Sequence, residues 1–123
     1  MVSRDTQFGL EGESIAATYL KKCGYKILER NYRNKIGEID IVAKDHGTIV
    51  FVEVKTRGSL QYGNPKWAVT PAKQRKISMV ALYYLKENRQ SDHKARFDVV
   101  TVLGQQKEPV VEIVKNAFEL AYK

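Results

Sequence analysis

Residues 37–57, GEIDIVAKDHGTIVFVEVKTR, place alternating runs on either side of the turn-prone Asp45-His46-Gly47, and this is how a β-hairpin is written in sequence. The runs predict strands over 36–44 and 48–56. Ile49-Val50-Phe51-Val52 is apolar at successive positions, so the second strand is expected to be covered on both faces. A strand of that kind belongs inside a sheet with another layer on each side. Charges that continue it are costly to bury without partners.

Side chains alternate faces along a strand. Glu38, Asp40 and Val42 are therefore expected on one face of the first strand, and Ile39, Ile41 and Ala43 on the other. Closing the hairpin about His46 and Gly47 pairs Asp45 with Thr48, and counting back sets Asp40 opposite Glu53. Like charges placed there destabilise a sheet unless something positive lies between them. A divalent cation would fit, with Lys55 beside it on the face of Glu53. Taken singly, each of these residues reads as an ordinary solvent-facing charge; together, in a valine-rich and isoleucine-rich hairpin, they read as a site.

The rest of the chain supplies layers for that hairpin. Asp5 or Thr6 is placed to cap a first helix running to about Cys23, with Gly24 as its left-handed stop. Phe8, Ile15, Ala16, Tyr19 and Cys23 form its apolar stripe, and Glu13 falls at the stripe's shoulder, where spacing alone reads it as solvated. Residues 25–32 predict a strand leading through the basic turn Arg33-Asn34-Lys35 into the hairpin. Residues 57–69 are irregular, broken by Gly58, Gly63 and Pro65. They offer Arg57 and Lys66 to phosphates, and Tyr62 and Trp67 to packing or base stacking, with Trp67 read first as a core anchor.

Thr70-Pro71 opens a second helix that extends to about Asn88, with Ile77, Val80, Ala81 and Tyr84 on its buried face. Gln74 starts on that face and needs a hydrogen-bond partner. Lys73, Arg75 and Lys76 surround it as an anion-attracting edge at the helix N-terminus. Strands are predicted over 96–103 and 110–114, with a short helix or a loose tail over 115–123. Asp98 is expected to accept hydrogen bonds near the sheet end, a structural role.

The chain carries 21 Lys plus Arg against 14 Asp plus Glu, a net charge of +7 that favours polyanionic partners. Cys23 is the only cysteine, which excludes an internal disulfide and a thiolate metal cluster. No apolar run nears the roughly 20 residues needed to cross a bilayer. Absence of a signal-like apolar stretch at the start leads to a cytoplasmic expectation with no membrane partner.

Asp40, then Glu53-Val54-Lys55 at the end of an apolar strand, resembles the PD-(D/E)xK nuclease superfamily. Gly37-Glu38-Ile39-Asp40 followed by Phe51-Val52-Glu53-Val54-Lys55-Thr56-Arg57 resembles more narrowly the bacterial YraN-like family of predicted endonucleases, relatives of Holliday-junction resolvases. The resemblance implies a single nuclease-like domain of order α-β-β-β-α-β-β, a mixed five-stranded sheet flanked by helices. It implies Mg²⁺ or Mn²⁺ held by Asp40, Glu53 and the main-chain carbonyl of Val54, with Lys55 handling a water or transition-state charge. Glu13 would join the metal site, with Glu11 as the competing position, and Gln74 would orient a water or contact phosphate.

The activity so implied is metal-dependent endonucleolytic hydrolysis of DNA, structure-selective rather than sequence-specific. Arg33, Lys35, Arg57, Lys66, Lys73, Arg75 and Lys76 are the expected phosphate contacts, and resolvase relatives raise a homodimer as a further expectation. The competing expectation is a nucleic-acid-binding or assembly protein that keeps the fold without turnover.

Overall fold

Asp45 pairs with Thr48 across a turn in which His46 (φ 53°) and Gly47 (φ 97°) both take positive φ. That is type I′ geometry, whose twist matches the strands it joins. The structure is a computed structural model describing residues 4–57, 69–104 and 110–118, with side chains described over 11–56, 69–104 and 110–118. The turn joins β2 (Glu38–Asp45) to β3 (Thr48–Arg57). The other elements are α1 (Arg4–Lys22), β1 (Lys26–Arg33), α2 (Pro71–Glu87), β4 (Ala95–Leu103) and β5 (Val110–Phe118).

The five strands form one sheet in the order β1-β2-β3-β4-β5, antiparallel throughout except for the parallel pair β3 and β4. Parallel neighbours need a crossover, and α2 lies in that connection. This is the α/β architecture with a mixed five-stranded sheet that the sequence predicts. β3 is covered on both faces. Val50 and Val52 pack with Ala16, Ala17 and Leu20 of α1, while Ile49 and Phe51 pack with Ile77, Val80, Ala81 and Tyr84 of α2.

Both helices stop or start where local chemistry tells them to. The Thr70 hydroxyl accepts the Lys73 N–H at 3.2 Å, ahead of Pro71 in the first turn of α2. α1 ends on Gly24 (φ 94°), with the Gly24 N–H on the Lys21 carbonyl and the Tyr25 N–H on the Leu20 carbonyl, each at 3.0 Å. Those two bonds make a Schellman stop.

Two expectations for α1 need correction. Asp5 and Thr6 lie within the helix, which already includes Arg4, and so do not cap it. The buried stripe is also rotated: Tyr19 and Cys23 are exposed, and Gly12, Ala16, Ala17 and Leu20 face the sheet. Small residues let the helix axis come close to β3, which a Tyr on that stripe would prevent. Phe8 has its side chain outside the described residues.

β5 runs to Phe118, beyond the predicted stop at 114 and in place of the short helix or loose tail expected from 115. The cause is Asp98, which is fully buried. Its Oδ1 accepts the Asn116 N–H at 3.0 Å, bridging the irregularity between Phe97 and Val99, and Phe118 then stacks on Phe97 at 4.7 Å. The rest of the tail, 119–123, lies outside the described residues. Among the described residues, no helix is long and apolar enough to cross a membrane.

Candidate active site

Pairing between β2 and β3 stops at Ile41 and Val52. β1 stays with β2 as far as Arg33 and Glu38, and β3 stays with β4 as far as Arg57 and Leu103. The sheet therefore forks, and Asp40 sits where the two halves part. The β1–β2 register passes over Asn31 and Asp40, and Asn31 takes φ 54°.

This break resets the alternation of faces. Ile39 packs in the α2-side cluster with Phe51, Ile77 and Val80, whereas Ile41 and Ala43 pack in the α1-side cluster, so the three do not share a face as the simple alternation predicts. Strand irregularities of this kind re-aim side chains. Here the Oδ2 of Asp40 accepts the Val54 N–H at 2.8 Å, where a directly opposed ladder pair with Glu53 is expected from the sequence.

From that position Asp40 interacts with Glu13 of α1 and with Glu53 of β3, which follows Phe51 on the α2 side of the sheet. Burial raises the Asp40 carboxyl to about 7, helped by the Glu53 charge and by Glu13, and opposed by the Val54 N–H. Glu53 is itself 8% exposed. Three acidic groups thus meet in a poorly hydrated fork, and the arrangement calls for positive charge.

Two lysines supply some. The Nζ of Lys73 lies 2.8 Å from Glu53 Oε1, and the Nζ of Lys55 lies 3.6 Å from the same oxygen. Burial, with the neighbouring Lys73, pushes the Lys55 ammonium below its usual range. Burial works against the Lys73 charge too, but its bond to Glu53 prevails and the Lys73 pKa is raised. Sequence reasoning placed Lys73 on an outer basic edge. Its tie to Glu53 depends on α2 crossing over β3, which no local pattern announces.

Glu13, rather than the exposed Glu11, is the α1 carboxylate that acts on Asp40. Gly12 explains how it gets there. The Gly12 backbone presses on Thr56 of β3, and a Cβ at position 12 would overlap the Thr56 Cγ2. Gly12→Ala is accordingly expected to cost about 1–3 kcal/mol through overpacking. Thr56→Ser, which removes the offending methyl, should restore most of that loss in the double variant. Urea unfolding of the four proteins measures the coupling, and strict additivity would refute the contact.

The remaining predicted residues fall in three groups. Arg33, Lys35, Lys73 and Lys76 line one groove beside the fork. Gln74 is turned to the start of its own helix, donating from Nε2 to the Val69 carbonyl at 2.9 Å, while Arg75 is exposed. Lys66, Tyr62, Trp67 and the Arg57 side chain lie outside the described residues.

No group of three or more His, Cys, Asp and Glu among the described residues is gathered to hold a metal ion. The donor chemistry nevertheless fits a hard divalent cation. Glu13, Asp40 and Glu53 offer only carboxylate oxygens, and their mutual repulsion is what such an ion relieves.

Fold and site together define an α/β protein with a carboxylate–lysine cluster at the forked end of a mixed sheet. The chain belongs to a family described as uncharacterised protein family UPF0102, whose profile matches residues 12–102, a span that includes all five cluster residues. A UPF0102 protein of Geobacter metallireducens is 55% identical over 122 residues, covering 99% of this chain and all of the relative. One from Syntrophus aciditrophicus is 52% identical over 99% of this chain and 98% of its own length. One from Trichlorobacter lovleyi is 58% identical over 90% of this chain and 89% of its own.

Proposed function

We propose that this chain is a metal-dependent endonuclease of the PD-(D/E)xK class, akin to the YraN-like predicted endonucleases, that hydrolyses DNA phosphodiester bonds. The observation that carries the reading is Asp40 in the fork, pressed between Glu13 and Glu53 with Lys55 and Lys73 alongside. A purely structural sheet end has no use for that concentration of like charge. The net charge of +7 favours a polyanionic substrate.

Asp40, Glu53 and the Val54 main-chain carbonyl would hold Mg²⁺ or Mn²⁺, with Glu13 as a further carboxylate. When bound, the ion supplies Lewis acidity at the phosphate and a lowered pKa for an attacking water. The residues of the chain do the positioning. The Val54 N–H fixes one Asp40 oxygen, and a hydrogen bond ties the Asp40 carboxyl to Glu13. Lys55, held near Glu53 and partly buried, orients a water or stabilises charge on the phosphate in the transition state. The described residues of the site are carboxylates and lysines, which agrees with recognition through phosphates and DNA shape.

The deciding experiment titrates Mn²⁺ calorimetrically into the wild-type protein and Asp40→Asn, then incubates each with linear, flapped and four-way DNA. Binding and cutting in the wild type, both lost in the variant, would support the nuclease and expose its preferred substrate. DNA binding with neither metal uptake nor cutting in a folded wild-type protein would sink it in favour of a binding protein on the same fold.

A further inference from the structure

The basic turn between β1 and β2 and the first turns of α2 enclose a groove of about 420 Å³. Arg33 and Lys35 line it from the turn, Lys73 and Lys76 from the helix, and among the described residues Glu38 is the one acidic side chain in its wall. Glu38 is already matched by Arg33 at 2.9 Å, which leaves the wall strongly cationic. A cleft lined by one sign of charge concentrates the field within it.

The groove is also stiff. The Oδ1 of Asn34 accepts the N–H groups of Ile36 (2.9 Å) and Gly37 (3.3 Å), and the Asn34 N–H returns to the Gly37 carbonyl at 2.9 Å. Gly37 rests on α2, where a Cβ would come to 3.2 Å from both Lys76 Cε and Val80 Cγ2. The turn is thus seated on the helix, and the spacing of the two basic walls is set before any ligand arrives.

Its size falls in the range of small-ligand sites, roughly 300–1,000 Å³, so it takes one or two phosphate-linked units and not the width of a duplex. Lys73 belongs to this groove and to the fork at once, because its ammonium lies on Glu53. An anion in the groove competes with Glu53 for that ammonium.

We propose that the groove binds the phosphates of a single nucleic-acid strand, and that Lys73 couples its occupancy to the release of Glu53 for a divalent ion. The second half rests on the phosphodiesterase reading; the first does not. Without a strand, Lys73 stands in for the ion and keeps metal affinity low. With a strand bound, Lys73 turns to phosphate and Glu53 becomes available. Linkage requires the converse, that the ion strengthen strand binding by the same factor.

Two measurements test this. A fluorescent oligothymidylate is titrated in EDTA, read by anisotropy, against the wild-type protein and Lys35→Glu/Lys76→Glu, both exposed positions whose replacement circular dichroism can show to leave the fold intact. Affinity is expected to fall by about tenfold or more, with a shallower salt dependence; equal affinity would overturn the groove. Mn²⁺ is then titrated calorimetrically into the wild-type protein and Lys73→Met without nucleic acid. Binding tighter by about fivefold or more in Lys73→Met is expected, and unchanged or weaker binding overturns the coupling. Uptake of Mn²⁺ by neither protein would defeat both the coupling and the phosphodiesterase reading, while the anisotropy result would still judge the groove alone.

Discussion

Asp40→Asn is expected to make the metal-free protein more stable at pH 8 than the wild type, by roughly 2–4 kcal/mol. The folded-state pKa of Asp40 is raised from 3.8 to about 7, chiefly by burial and by Glu53, so between those values the folded state holds a proton that the unfolded chain has released. Stability therefore falls as pH rises through the window and stays low above it. Asparagine has no charge to confine and can still accept the Val54 N–H. The advantage of Asp40→Asn should shrink towards pH 4 and reach its full value above pH 7. Urea unfolding in EDTA at pH 4.5 and pH 8 measures it, and a difference independent of pH would refute the electrostatic account of the fork. Adding Mn²⁺ should narrow the difference, since a ligand that binds only the folded wild type stabilises only that protein.

Asp98→Ala is expected to cost about 3–5 kcal/mol, a large share of the stability of a domain this size. Asp98 has no exposed surface and carries four interactions: Tyr25 Oη at 3.0 Å, Arg96 Nε at 3.0 Å, Arg96 Nη2 at 3.3 Å and the Asn116 N–H at 3.0 Å. Arg96 also reaches Asp45 Oδ2 at 2.7 Å, tying the hairpin turn to β4. Burial and Asp98 push the Tyr25 hydroxyl up to about 12, so the phenol keeps the proton it donates to Asp98. Removing Asp98 leaves Arg96 with Asp45 and Tyr25 alone, and takes from the Tyr25 hydroxyl and the Asn116 N–H the carboxylate that accepts from them. A loss under about 1 kcal/mol in urea unfolding would contradict this. Mn²⁺ uptake by the surviving folded fraction should be unchanged, because the Asp98 carboxylate bonds Tyr25, Arg96 and Asn116 rather than the residues of the fork.

Much of this protein is legible one residue after another. His46-Gly47 between two alternating runs dictates the hairpin and its register, because a two-residue turn with positive φ at both positions leaves a single way to pair the strands. Thr70-Pro71 and Gly24 mark helix ends through bonds that involve only near neighbours. The run 49–52 announces a strand covered on both faces, and with it the α/β layering. Asp40, Glu53 and Lys55 stand out as candidates for the same local reason, charges continuing strands that should be buried.

What local pattern left undecided depends on contacts distant in the chain. Small residues of α1 meeting β3 turned the helix so that Glu13 faces the fork and Tyr19 faces solvent. A buried Asp98 carried β5 past its apolar run by binding Asn116. Above all, the sequence determined which charges would lie near the end of the hairpin, but only the tertiary structure decided how they meet. The parting of β2 from β3 and the crossing of α2 bring Asp40 between Glu13 and Glu53, and Lys73 onto Glu53. Turns and caps are set by interactions a few residues long. Charges in a fork are set by the packing of whole elements, whose energies no short stretch of sequence contains.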